Sequence, residues 1–310
     1  MRNHQTSSPL SLAGLTCLLL TIYCGGFCRD AHGSLIAYDP FNQTATASIA
    51  GTASTSPGVW PTGSQDWGNV AGTVGVSSGS LSVPSGVQGL STDGNRATLT
   101  NSAGAQVAAF RQFGVTYTTS VGNNDNLWLS FLYQPASRTG GQGLNEGISL
   151  FSGSTEMLFI GAEGVGDIAI RAIGGQSADI DRFANTFVDA TSNQTFQIVA
   201  NIRNTTEYTI WVDPTGFNHS TGLPTGGTRA SLITGLSSFS FDRIRLGDDT
   251  TASALGSATF DEFRLGTTAA AVVPEPATCV LCFTALACGC WQLARRSRTG
   301  SRNMESRRRH

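Results

Sequence analysis

The sequence contains no lysine; all 19 of its basic residues are arginine. Charged residues make up only 13% of the 310, about half of the roughly 25% usual in soluble domains. Cysteine is missing from the whole stretch 29–278: Cys17, Cys24, Cys28, Cys279, Cys282, Cys288 and Cys290 all lie in or beside two terminal apolar segments. The long middle region therefore has no disulfide and no thiolate chemistry. Histidine is nearly as scarce there, with His219 alone between residues 34 and 271. One histidine and no cysteine exclude a zinc site of the usual type. They also exclude Ser-His-Asp and Cys-His arrangements unless His219 serves, and its setting, GFNHSTG, reads as a turn. No stretch carries a helical period of ten or more residues, which argues against a helical cytosolic enzyme.

What is present is glycine, 37 residues of it, among many Ser and Thr. That suits an extracellular β protein with many turns. Charge is unevenly placed. Residues 34–271 hold 10 Arg against 18 Asp and Glu, a net −8, whereas residues 295–310 hold seven Arg against one Glu, a net +6. An acidic body disfavours nucleic acid as a partner.

The two ends read as export signals. Arg2 and His4 precede the apolar residues 10–22, and small residues follow, the pattern of a secretory signal. Ala31 and Gly33 set a cleavage point after residue 33. Tyr23 and Phe27 are too bulky to precede a lipidated cysteine at 24 or 28. At the other end, residues 277–294 contain one strongly polar residue, Gln292. Eighteen residues make about 27 Å of helix, near the thickness of a hydrocarbon core. Within this run Cys279 and Cys282 have redox or zinc spacing, but the setting reads as small polarizable residues in a span. Arg295, Arg296 and Arg298 follow at once, and such a cluster stays on the cytoplasmic side. Both signals place the body outside. Pro274, Glu275 and Pro276 stand just before the span; the prolines keep that strip extended and open to a processing enzyme.

This order of Pro-Glu-Pro, apolar span and Arg-rich end resembles the PEP-CTERM sorting signal of exported bacterial proteins. The resemblance covers about 35 residues and departs in the long tail that follows the span. It implies a membrane enzyme of the exosortase type as partner, transient residence in the inner membrane, and release to the cell surface or extracellular matrix, often beside exopolysaccharide. The expected organisation is a signal peptide at 1–33, a β domain at 34–271 and a sorting segment at 272–310.

The middle region reads as β throughout. Alternating apolar runs recur at 126–133 (NLWLSFLY), 148–151, 156–160, 168–173, 195–203 (TFQIVANIR) and 207–212 (EYTIWV), bounded by Gly, Asn, Asp and Pro. In the last, Tyr208, Ile210 and Val212 fall on one face, Thr209 and Trp211 on the other. Residues 44–80 read as long loops with short strands. Residues 241–247 (FDRIRLG) recur as 260–266 (FDEFRLG). Strict alternation puts Phe241, Arg243 and Arg245 on one side and Asp242, Ile244 and Leu246 on the other. Two copies predict two late strands of one sheet rather than a solenoid, which needs three or more. The stretch TFQIVANIRNTTEYTIWVDPTGFN resembles a hairpin of laminin-G and concanavalin-like jelly rolls. SLIAYDPFN and FDEFRLGTT resemble the first and last strands of such domains in exported proteins. The resemblance implies an all-β jelly-roll sandwich of two antiparallel sheets, flanked by the signal peptide and one transmembrane sorting helix.

Catalytic pairs are hard to assemble from this pattern. A retaining glycosidase needs two carboxylates about 5 Å apart. Glu156 and Glu163, seven apart, and the adjacent Asp261 and Glu262 point to opposite faces under strict alternation; Asp179 and Asp181 share a face but sit in a loop-like stretch. No cofactor is expected. A structural Ca²⁺ stays open, because Asp179 with Asp181, Asp248 with Asp249, and residues 123–126 are oxygen ligands by type. So does ordinary turn chemistry at each of them. The sequons at Asn42, Asn193, Asn204 and Asn218 carry no weight in bacterial export. The leading expectation is a non-enzymatic surface or matrix protein. The alternative is a carbohydrate-binding module recognising exopolysaccharide, with Trp60 or Trp67 stacked on sugar rings or capping the sandwich edge instead. A glycoside hydrolase stands third.

Overall fold

The computed structural model describes residues 34–273, apart from 53–57, 88–91, 93, 102–105, 121–125, 137–143, 165–166, 173–181, 190–193, 204–206, 219–220, 234–237 and 249–255. The chain divides into two units. One is Gly33–Pro274; the other joins Met1–His32 to Glu275–His310 and lies outside the described residues.

The strands are β1 (Leu35–Asp39), β2 (Gly68–Ala71), β3 (Val74–Ser78), β4 (Asn95–Asn101), β5 (Val107–Ser120), β6 (Asn126–Gln134), β7 (Leu144–Ser152), β8 (Thr155–Gly164) and β9 (Asp167–Ala172). There follow β10 (Arg182–Asp189), β11 (Phe196–Arg203), β12 (Glu207–Val212), β13 (Gly216–Asn218), β14 (Leu223–Thr225), β15 (Thr228–Ile233), β16 (Ser238–Asp248) and β17 (Gly256–Gly266). The helix α1 (Ala269–Val272) closes the described chain. One sheet has eight strands in the order β15-β12-β11-β6-β17-β4-β3, with β1 also on β17. A second has seven, β10-β9-β8-β7-β16-β5-β2, and β13 with β14 makes a small ribbon. The strand pairs named for these sheets are antiparallel, and most are distant in sequence.

Alternation places the core. From the eight-stranded sheet come Leu129, Phe131 and Tyr133 of β6, Ile198, Ala200 and Ile202 of β11, and Tyr208, Ile210 and Val212 of β12. From the seven-stranded sheet come Ile148 and Leu150 of β7, Leu158 and Ile160 of β8, and Ile168 and Ile170 of β9. All belong to one buried cluster, so the two sheets face each other as a sandwich. Each large side chain withdrawn from water in this way is worth about 1.5–3 kcal/mol. The described residues of 44–80 are loops with the short strands β2 and β3, as their composition predicts.

The echoed segments correct the expectation. They are strands of different sheets: FDRIRLG runs through β16 and FDEFRLG through β17. Both also break alternation. Pairing shifts register between Phe241 and Arg243 in β16, and between Asp261 and Arg264 in β17. As a result Phe241, Ile244 and Leu246 all point into the core, and so do Phe260, Phe263 and Leu265. A bulge inserts one residue without a partner, so residues three apart share a face. In β17 the bulge falls where the neighbour changes. β4 pairs with residues 256–260 and β1 takes over from 263. Glu262 there adopts φ of 53°, the left-handed region uncommon for a residue with a side chain.

The eight-stranded sheet is buried on its outer side too. Trp128, Val199 and Trp211 pack there against Ala269, Val272 and Val273. Val272 and Val273, which the sequence reading grouped with the sorting segment, are therefore part of the packed body.

Candidate functional site

The richest polar chemistry on the described surface lies on the outer face of the seven-stranded sheet. The bulge in β16 turns Arg243 and Arg245 outward. Register sets a row across the sheet: Phe110 of β5 opposite Arg245, Arg245 opposite Ser149 of β7, Ser149 opposite Phe159 of β8, and Phe159 opposite Arg171 of β9. The guanidinium of Arg245 donates to Ser149 Oγ at 3.1 Å and to Glu156 at 2.8 Å, and its carbon lies 4.9 Å from the centre of the Phe151 ring. Arg171 pairs with Glu163 at 2.8 Å and lies 5.5 Å from the Phe159 ring. Arg243 lies 5.8 Å from Phe110, whose ring meets Phe151 edge-on at 5.0 Å. Gly147 keeps the row compact: a Cβ there would meet the Phe159 ring at 2.8 Å. Arg171, Arg243 and Arg245 and the carboxylates beside them keep part of their surface, while Ser149, Phe151 and Phe159 are buried beneath them, which makes these ion pairs and cation–π contacts stronger than fully solvated ones. The part-exposed guanidinium–carboxylate pairs can hydrogen-bond vicinal hydroxyls, while the Phe151 and Phe159 rings beneath them are covered and offer no stacking face.

Glu156 and Glu163 share this face, contrary to the alternation argument. β7 and β8 shift register between Leu150 and Phe151, so the seven-residue spacing no longer separates the two. Each carboxylate is held by its own arginine. Asp261 and Glu262 correct the same expectation. The bulge turns both away from the core, and both are fully buried on the outer side of the eight-stranded sheet. Asp261 accepts from the Leu81 and Glu262 backbone N–H groups, each at 2.8 Å. Burial pushes its carboxyl up to about 8; the neighbouring Glu262 charge adds to this, while the two N–H donors and Arg96 oppose it. Glu262 accepts from Tyr38 at 2.9 Å and from Arg264 at 3.0 Å. Burial and that carboxylate raise the Tyr38 phenol far above its usual range.

The tryptophans named for sugar stacking are not free platforms. Trp67 is 1% exposed, and its indole N–H donates to Asp39 at 2.8 Å. The half-buried Trp60 lies under the Arg111 guanidinium at 3.8 Å and stacks on Phe113 and Phe263. Both rings cap the core beside a buried ion pair, Arg111 to Asp39 at 3.1 Å. Apolar packing on both sides, which alternation does not signal, explains the correction. Burial lowers the Arg111 pKa, and Asp39 resists that shift.

Pro274, Glu275 and Pro276, the apolar run 277–294, and Arg295, Arg296 and Arg298 lie outside the described residues. So do His219, Asp179, Asp181, Asp249 and Asn123 to Asp125. Among the described residues no helix is long and apolar enough to cross a membrane, and no group of three or more His, Cys, Asp or Glu is gathered to hold a metal ion. Sequence reasoning missed the arginine–phenylalanine row and the Asp39–Arg111 pair. The only available signal for the row was the Arg-x-Arg of β16, of which Arg245 alone recurs in the echo, as Arg264.

No family model and no curated protein matches this chain. Solved structures do. The botulinum neurotoxin serotype G binding domain matches at 14% identity and a TM-score of 0.39, over 65% of this chain and 45% of that one. The T. cruzi calreticulin globular domain matches at 12% and 0.39, over 76% and 88%. The CBM2 module of an evolved Dit protein of Lactobacillus casei BL23 phage J-1 matches at 10% and 0.39, over 76% and 96%. The chain thus spans less than half the length of the neurotoxin domain it matches. Likeness at this level assigns neither ligand nor activity.

Proposed function

We propose that this chain is an exported, non-enzymatic surface or matrix protein, built as a concanavalin or laminin-G type jelly roll and sorted through a PEP-CTERM-like C-terminal segment. One observation carries the reading. Val273 is still packed on the body, and in the sequence the Pro-Glu-Pro strip follows it directly, ahead of the apolar run at 277–294 and the arginine cluster from 295. Body and address are therefore consecutive in sequence. Among the described residues, three carboxylates weighed for a hydrolase are engaged in ion pairs: Glu156 with Arg245, Glu163 with Arg171, and Glu262 with Arg264 and also with Tyr38. In this reading an exosortase-type enzyme binds the extended strip while the span holds the protein in the inner membrane. It then frees the sandwich to the outside. Tagging both ends and fractionating cells tests this. A processed body without its C-terminal tag in the surface or medium fraction is expected. Full-length protein that persists in the inner membrane refutes sorting.

A second reading, recognition of extracellular polysaccharide, is favoured by the arginine–phenylalanine row of the seven-stranded sheet. Binding to the producer's own polysaccharide that falls at least tenfold in Arg245→Met supports it, and a full glycan array without signal rejects it.

A further inference from the structure

The last six described residues do more than trail off the sandwich. Thr268 caps α1, its side chain accepting from the Ala271 N–H at 3.3 Å. Val273 N–H donates to the Ala269 carbonyl at 2.8 Å. Ser130, in the middle of β6, donates its hydroxyl to the Val272 carbonyl at 2.6 Å. Val272 and Val273 are 0% and 1% exposed, against Val199 and the stacked rings of Trp128 and Trp211, 5.8 Å apart. The turn is possible because Gly266 lets the chain double back. A Cβ at that position would meet Ala271 Cβ at 2.9 Å and Val272 Cγ1 at 3.3 Å. Upstream, Thr267 and Ser34 exchange hydrogen bonds at 2.9 and 3.0 Å and tie this end to the first strand.

Proteolytic enzymes take their substrate backbone in extended form, often as an added strand. Residues 269–272 form a hydrogen-bonded helical turn that buries Ala269, Val272 and Val273 while Ala270 stays exposed, so the segment cannot be presented in extended form without first being peeled from the sheet. We infer that these residues form a clamp that sets the processing boundary. The enzyme that frees this protein breaks a peptide bond on the C-terminal side of Val273, and the new chain end stays docked on the eight-stranded sheet. Water, or an acceptor nucleophile in its place, takes the acyl side of the broken bond, and the released segment leaves with a free amine. This rests on the sorting reading above, but the clamp can be judged without it.

The test uses the full-length chain in mild detergent, digested with proteinase K, with the C-terminal end of the resistant body read by mass spectrometry. The wild-type end is expected at residue 273 or beyond. Gly266→Val is expected to move it back to 266–268 and to shift Trp128 and Trp211 fluorescence to longer wavelength. Ser130→Ala with Val273→Ser, which leaves β17 untouched, should do the same if Gly266→Val fails to fold. A wild-type end inside 268–272, or variants that keep the wild-type end, overturns the clamp. In cells, a processed form ending at 273 or later agrees with the clamp, and an end inside 268–272 overturns it. If no processed form exists, sorting is rejected, and the proteinase K result alone decides the clamp.

Discussion

Asp261 should make this sandwich less stable as pH rises, and replacing it with asparagine should remove that dependence. Two effects compete at this carboxyl. Burial without solvent disfavours the charged form, and Glu262 next to it adds repulsion. The Leu81 and Glu262 N–H groups, both at 2.8 Å, favour the charged form. If burial wins, the folded-state value is about 8, against 3.8 for the unfolded chain. The group is then protonated in the fold at neutral pH. Its full contribution is present below the unfolded value and is lost progressively as pH climbs from about 4 to about 8. At 1.36 kcal/mol per unit, the whole shift corresponds to roughly 6 kcal/mol between those limits. That is a large part of the 5–15 kcal/mol typical of a domain. Asp261→Asn cannot ionise, so it should unfold at nearly the same denaturant concentration from pH 5 to 9. The wild type should weaken across that range, and the two curves should cross. Urea unfolding followed by tryptophan fluorescence at half-unit pH steps measures this. Parallel curves refute the reasoning and show that the two backbone donors keep Asp261 ionised throughout.

Other consequences follow from single contacts. Gly114 sits at φ of 75°, and a Cβ there would collide with the Gly63 carbonyl group. Gly114→Ala should therefore lower unfolding stability by about 2–4 kcal/mol, and a change under about 0.5 kcal/mol would contradict the packing. Trp67→Phe removes the indole donor to Asp39 and leaves a void beside Phe41, for a loss of about 2–4 kcal/mol in the same measurement. It should leave polysaccharide binding unchanged, because the ring is buried. Arg245→Met keeps an aliphatic chain over Phe151 and strands Glu156 at a half-buried site, so about 1–2 kcal/mol is expected in a thermal melt.

Alternation made much of this architecture readable in advance. NLWLSFLY, TFQIVANIR and EYTIWV became β6, β11 and β12, and Tyr208, Ile210 and Val212 point into the core together as spaced. The pairing order was not readable. β17 lies between β6 and β4, and β16 between β7 and β5, at separations that no local pattern encodes. Trp60 and Trp67 misled for a related reason. Their neighbours in sequence are polar, but their neighbours in space are Phe113, Phe263 and Phe41, contributed by three distant segments. The Pro-Glu-Pro strip lies outside the described residues, and its reading as a sorting signal rests on the linear sequence alone.

The echo between β16 and β17 shows what a short repeat can encode when it is not a strand pair. Each copy places an aspartate at a bulge, and each aspartate accepts from a distant backbone N–H: Gly153 for Asp242, Leu81 for Asp261. Each copy then carries an arginine three residues on. Arg245 covers Phe151 and pairs with Glu156, and Arg264 covers Tyr38 and pairs with Glu262. The repeated unit is thus a bent central strand with an outward arginine latch, used once per sheet. The two copies differ at the residue after the aspartate. In β16 it is Arg243, which faces outward and is partly solvated; in β17 it is Glu262, which is fully buried and carries the left-handed backbone. A carboxylate buried at a strained position must keep its donors, whereas a partly solvated arginine can give up its contacts to water. Exchange at this one position should therefore be asymmetric. Arg243→Glu should be tolerated within about 1 kcal/mol as a surface change. Glu262→Arg should unfold the domain, because it buries a second cation against Arg264 and leaves Tyr38 without its acceptor. Equal melting temperatures for the two variants would show that the copies are interchangeable and that the burial of Glu262 is incidental.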